Sequence, residues 1–278
     1  LFLQNSAVYT NGMKNLIGIF IVLIIIIAGA FIWHRMQTDN TAGGDQANSA
    51  MLSGGEDVAI AEETVSYTSG VAGFYARPEA EGGYPGVVMI HEWWGLNDNI
   101  KDMARDLARK GYQVLAVDLY GEVATTRERA GELTGSLDQA EATANMKAAA
   151  NYLRERGAER MASLGWCFGG KQSLELALSG EKLDGTVIYY GQLVTDPQRL
   201  SAITWPVLGI FGAEDTSIPV ANVQAFEAGL NEANVKNSIH IYPGVGHAFA
   251  NPSGMNYAPE PTRDAWEKTL TFLDENLK

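Results

Sequence analysis

The feature that most constrains this chain is Gly165-Trp166-Cys167-Phe168-Gly169-Gly170, a glycine-flanked cysteine where an apolar strand pattern, residues 161–165, passes directly into a helical one. A turn that sharp lifts its central side chain above a sheet, and it tolerates only small neighbours because larger ones would strike the strand or the helix. The helix start beyond it offers unpaired N–H groups and a positive dipole end, both of which favour a thiolate. Cys167 is the only cysteine among 278 residues, so neither an intrachain disulfide nor a cysteine-based metal cluster is open to the chain. The thiol is then either a small core group in a tight turn or a chemical group, and the motif around it favours the second.

The pattern on either side is an alternation of strands and helices. Residues 63–77 alternate apolar and polar around Gly70 and predict an antiparallel hairpin. Val87-Val88-Met89-Ile90 is a wholly apolar run of the kind buried on both faces of a parallel sheet. Helical spacing of Ile100, Met103 and Leu107 predicts a helix over 98–110, stopped by Gly111, and a strand follows at 113–117. One long helix is expected over 137–156, then strands at 161–165, 185–190, 207–211 and 239–242, with helices from 168, over 220–234 and over 262–277. Such a chain forms an α/β domain, a mostly parallel sheet covered by helices on both faces, with reactive groups at the carboxyl ends of the strands.

This folded part spans residues 61–278. Ahead of it, residues 16–33 form an uninterrupted apolar run with Lys14 before it and His34 and Arg35 after it, long enough for a membrane anchor or the core of a signal peptide. Met13 reads as a start, which makes residues 1–15 a short N-terminal extension, and Ala28-Gly29-Ala30 a possible cleavage point. Residues 34–60, rich in Thr, Asn, Gly, Ser and Asp, are expected to be a flexible linker. The expectation is a domain outside the cytoplasm (periplasmic), anchored or released, and monomeric or a small homo-oligomer. A formal net charge of −13 keeps such a domain soluble and argues against nucleic acid as a partner.

A thiol nucleophile needs a base and an orienting acid. Of the four histidines, His34 flanks the apolar run, His240 lies within a strand, His91 ends one, and His247 sits in a loop after the last strand. That loop overhangs the nucleophile turn in an α/β-hydrolase fold, so His247 is the candidate base. Glu214-Asp215-Thr216-Ser217-Ile218-Pro219 follows another strand, and Asp215 is the candidate acid, with Glu214 left to solvent. The order nucleophile, acid, histidine fits this fold. The Trp93 and Phe168 amides are the expected oxyanion donors. A zinc reading of His91-Glu92-Trp93-Trp94-Gly95 fails because Gly95 stands where H-E-x-x-H needs its second histidine. A dinucleotide turn fails because Cys167 occupies the second glycine position and the next strand ends in Tyr189-Tyr190-Gly191 rather than an acid. No cofactor is expected.

Val88 to Asn97 with its His91-Glu92-Trp93-Trp94-Gly95 core, Asp118-Leu119-Tyr120, the Cys167 turn, the Asp215 loop and Gly246-His247-Ala248-Phe249 together resemble the dienelactone hydrolase family, from about Tyr67 to the C-terminus. The resemblance implies a carboxylic ester or lactone hydrolase in which Cys167 is the nucleophile and His247 and Asp215 complete a triad. It also implies that Glu92 hydrogen-bonds the resting thiol and helps deprotonate it when substrate arrives. The family's arginine four residues after the histidine, which pairs with a substrate carboxylate, is replaced by Asn251, and a second such arginine corresponds to Arg127 or Arg129. A neutral amide at 251 leads to an expected preference for neutral esters over anionic ones. Trp94, Tyr120 and Tyr190 are candidate pocket walls, each equally readable as a core aromatic. A binding module without activity and a thiol redox sensor are the alternatives, and neither needs His247 or Asp215.

Overall fold

Five strand segments without a single exposed residue account for the centre of the molecule: β3 (Gly86–Ile90), β4 (Gln113–Val117), β5 (Met161–Trp166), β6 (Gly185–Tyr189) and β7 (Val207–Gly212). In the computed structural model, which describes residues 58–278, they pair in parallel, with β8 (Asn237–Tyr242) as one edge. The hairpin β1 (Ile60–Thr68) and β2 (Val71–Pro78), turning at Gly70 with φ +74°, adds two antiparallel strands beside β4. The sheet order is β1-β2-β4-β3-β5-β6-β7-β8. The extension, the apolar run and nearly all of the linker lie outside the described residues; among the described residues no helix is long and apolar enough to cross a membrane.

Alternation along the strands divides the core in two. Val87, Met89, Val114, Ala116, Leu164 and Ile210 point to one face, where α1 (Asp98–Arg109) and the C-terminal helix supply Ile100, Met103, Leu107, Trp266, Phe272 and Leu273. Val88, Ile90, Leu115, Val117, Ile188 and Phe211 point to the other, against Met146, Leu153, Leu174, Val223 and Phe226. This is why the central strands carry no polar alternation: both faces are covered.

The helix expected over 137–156 is present, and a further helix that was not expected stands ahead of it. α2 (Arg127–Ser136), capped by Thr126, precedes α3 (Gln139–Glu155), whose N-cap Asp138 accepts from the amides of Ala140 and Glu141. α2 buries only Ala130 and Leu133, too little apolar surface to give a periodic signal. The remaining helices are α4 (Phe168–Leu178), the short α5 (Pro197–Leu200), α6 (Val220–Glu232) and α7 (Pro259–Leu277). From β3 the chain steps to β4 on one side, then crosses to β5 on the other. That reversal leaves a crevice beyond the carboxyl ends of β3 and β5.

Candidate active site

Loops leaving that end of the sheet bring together residues far apart in sequence. Cys167 stands between β5 and α4 at φ 55°, ψ −115°, a backbone region that L-residues avoid and that costs on the order of 1–3 kcal/mol. The contacts enforcing it are backbone to backbone. A Cβ on Gly165 would lie 2.1 Å from the Gly169 carbonyl oxygen, and one on Gly169 would lie 2.3 Å from that of Ile90 and 2.5 Å from that of His91. The two glycines let α4 start against the end of β3, which aims the sulfur out over the sheet.

His247 Nε2 lies 3.1 Å from Cys167 Sγ, and its Nδ1–H donates to Asp215 Oδ2 at 2.8 Å. The other oxygen of Asp215 accepts the amides of Ser217 at 2.7 Å and Ile218 at 2.9 Å. Those two bonds hold the carboxylate inward, while Glu214 is exposed. Burial pushes the acid of Asp215 up, but His247 and the two amides outweigh it and bring it below the ordinary carboxylate range. Burial also pulls His247 down, yet the bonds to Asp215 and Cys167 prevail and raise it to about 10.

Glu92 is 3 % exposed, and burial raises it to about 7 against the opposing pull of His247 and a hydrogen bond from Asn251. It makes no hydrogen bond to Cys167, which rests on His247 instead. The resting arrangement implied by the family resemblance therefore does not occur here. His91, which sequence reasoning passed over, ties this loop down. Its Nδ1–H donates to the Glu92 carbonyl at 2.6 Å, its Nε2 accepts the Leu119 amide at 3.1 Å, and its ring stacks on Phe168. The Phe168 N–H, first in α4, has no intrahelical partner. The Trp93 N–H has none among the described residues. Both stand in segments that border the sulfur.

A cleft of about 380 Å³ opens over Cys167 and His247, lined among others by Trp93, Leu137, Gln139, Lys171, Gln172, Tyr190 and Ile218. Tyr190 borders this cleft while being fully buried in the core, so both readings of it meet in one residue. Four other expected pocket residues lie elsewhere. Trp94 packs with Ala124, Ala130 and Leu133, its carbonyl accepting the Ala124 amide at 2.8 Å. Tyr120 hydrogen-bonds Thr134 at 2.9 Å and borders a separate groove of about 710 Å³ beside the β1–β2 turn. Arg127 is exposed at the start of α2, and Asn251 is buried behind the site against Glu92. The alternative Arg129 pairs at the surface with Glu122 and Glu132. Lys171, one helical turn after Cys167, brings an ammonium to the cleft beside His247, and no Asp or Glu side chain is among the residues that line it. A spacing of four residues within a helix was the available signal for Lys171. Among the described residues no group of three or more His, Cys, Asp or Glu side chains is placed to hold a metal.

The model of the dienelactone hydrolase family matches residues 71–277, which takes in every strand from β2 onward and the whole of this constellation. The chain belongs to the dienelactone hydrolase family. It is 31 % identical over 218 residues to a protein assigned as a carboxymethylenebutenolidase in Salmonella typhimurium, covering 72 % of this chain and 81 % of that one. The solved structure called m3DLH superposes with a TM-score of 0.73 at 30 % identity, over 79 % of this chain and all of the other. A dienelactone hydrolase-like promiscuous phosphotriesterase from metagenomic libraries, P91, gives 0.70 at 27 %, with the same coverage. As a dienelactone hydrolase family member the chain has a hydrolase's fold and a hydrolase's relatives.

Proposed function

We propose that the protein hydrolyses carboxylic esters or lactones of small molecules through a thioester acyl-enzyme on Cys167. The observation that carries this reading is the continuous chain Cys167 Sγ, His247, Asp215, closed behind the acid by the Ser217 and Ile218 amides. The thiolate attacks the carbonyl carbon while the imidazolium keeps the sulfur's proton, and the oxyanion develops toward the Trp93 and Phe168 N–H groups. His247 then gives its proton to the departing alkoxide, takes one from water, and the hydroxide releases the acid and restores the thiolate. A redox sensor or an inactive binding module would need no base held at this distance from the sulfur, nor an acid held behind the base.

The cleft also bears on substrate charge. Asn251 lies behind the site, so its neutrality does not govern what the cleft accepts, and the expected preference for neutral esters loses its premise. With Lys171 in the wall and no carboxylate facing it, esters bearing a negative group are the better match. The apolar run at 16–33 leads us to propose export and an extracytoplasmic location for this chemistry. Cys167→Ala and His247→Ala variants assayed on p-nitrophenyl esters test the reading: each loses turnover by roughly three orders of magnitude or more if the triad works as described. Unchanged turnover in either variant refutes it.

A further inference from the structure

Asn251 has both ends of its amide committed. Its Oδ1 accepts the Ser253 N–H at 2.9 Å and the Ser253 hydroxyl at 2.8 Å. A backbone N–H can only donate, so this bond decides which end of the amide is oxygen and leaves Nδ2 to donate to Glu92 Oε2. The turn carrying the amide is closed by the Asn251 N–H on the Ala248 carbonyl at 3.1 Å and the Gly254 N–H on the Asn251 carbonyl at 2.9 Å. Asn251 is 6 % exposed, so no water competes for the carboxylate from that side. The ionisable groups around Glu92 come from separate elements: His247 from the loop after β8, and the Tyr190 hydroxyl from the end of β6, which interacts with Cys167 as well.

We propose that Asn251 is a positioning residue that clamps Glu92 off the nucleophile, so that Cys167 rests on His247 before any substrate arrives. The inference rests on Cys167 being the nucleophile but not on which ester it cleaves. A neutral amide suits the task because it fixes the direction of the carboxylate while favouring its charge too little to offset burial, which still raises Glu92 to about 7. Released from the clamp, the acid could turn toward the sulfur and accept the S–H hydrogen bond, drawing the thiol from its base.

Alkylation of Cys167 by iodoacetamide in the substrate-free protein reads this directly, since only the thiolate reacts and no ester turnover is required. Across pH 5 to 9, the Asn251→Ala variant should alkylate about ten-fold more slowly than the parent near neutral pH, the scale of a lost hydrogen bond to a charged group. In a Glu92→Gln background the same substitution should change the rate little, because the acid through which it acts is gone. Ser253→Ala, which removes only the hydroxyl bond, should shift the rate the same way by less, and carries the test if Asn251→Ala does not fold. An unaltered alkylation profile in the variants overturns the proposal, as does an Asn251→Ala effect that persists with Gln at 92. If alkylation behaves as described while no ester is cleaved, the hydrolase reading fails and the clamp stands.

Discussion

Glu92 is buried with its charge stabilised by one hydrogen bond from a neutral donor and by the nearby imidazolium, and the consequence is measurable as stability. Its folded value of about 7 lies above the ordinary 4.5. Below the ordinary value both folded and unfolded chains hold the proton, and no charge is buried. As pH rises through the folded value, the unfolded chain has already ionised while the folded chain ionises at a cost. Folding therefore loses on the order of 3 kcal/mol across that window. Urea unfolding at pH 5 and pH 8 should show Glu92→Gln gaining stability relative to the parent only at the higher pH. An equal difference at both would contradict the buried carboxylate. Lys171 makes a second prediction at this scale. Lys171→Met should lower kcat/KM for a carboxylate-bearing ester by about ten-fold and change it far less for a neutral ester of the same size. Equal losses on both would mean that the ammonium does not meet the substrate.

The strand–turn–helix formed by β5, Cys167 and α4 was the most legible element in the sequence, because only glycine satisfies its contacts. Gly169→Ala would push a methyl into the Ile90 and His91 carbonyls, which are backbone and cannot rotate aside. We expect destabilisation of more than about 2 kcal/mol, read as a lowered urea midpoint, with activity lost in whatever fraction folds. A variant with parental stability would show that α4 does not start against β3. The central strands were legible for the same kind of reason, since burial on both faces leaves an apolar run. α2 was not, because it hides two residues, and its capping Thr126 leads into no apolar stripe. Asn251 was misplaced because a motif position gives a residue's place in the chain but not the direction of its side chain. Here Ser253, two residues on, sets that direction.

At the scale of the molecule, the sheet order is what makes the chemistry possible. Cys167, Asp215 and His247 leave three different strands, β5, β7 and β8, and the parallel register sets those strand ends on one side. The glycine-flanked turn, the choice among four histidines and the strand-end loops pointed in the sequence to Cys167, His247 and Asp215, and the structure brings those three side chains within hydrogen-bond reach. The cleft above it was not readable, since its walls come from α2, α3, α4 and the loops after β3, β6, β7 and β8, whose side chains have no shared period. Residues Gln139 and Gln172 illustrate this: they hydrogen-bond each other across 33 positions, at 2.7 and 3.0 Å, to form one wall. The most direct test of the whole account is to quench the protein in acid during turnover of an activated ester and map the acyl group by peptide mass. The acyl mass should sit on the peptide containing Cys167 and be absent from the Cys167→Ala variant. An acyl group on any other residue, or turnover with no covalent species when deacylation is slowed, would contradict it.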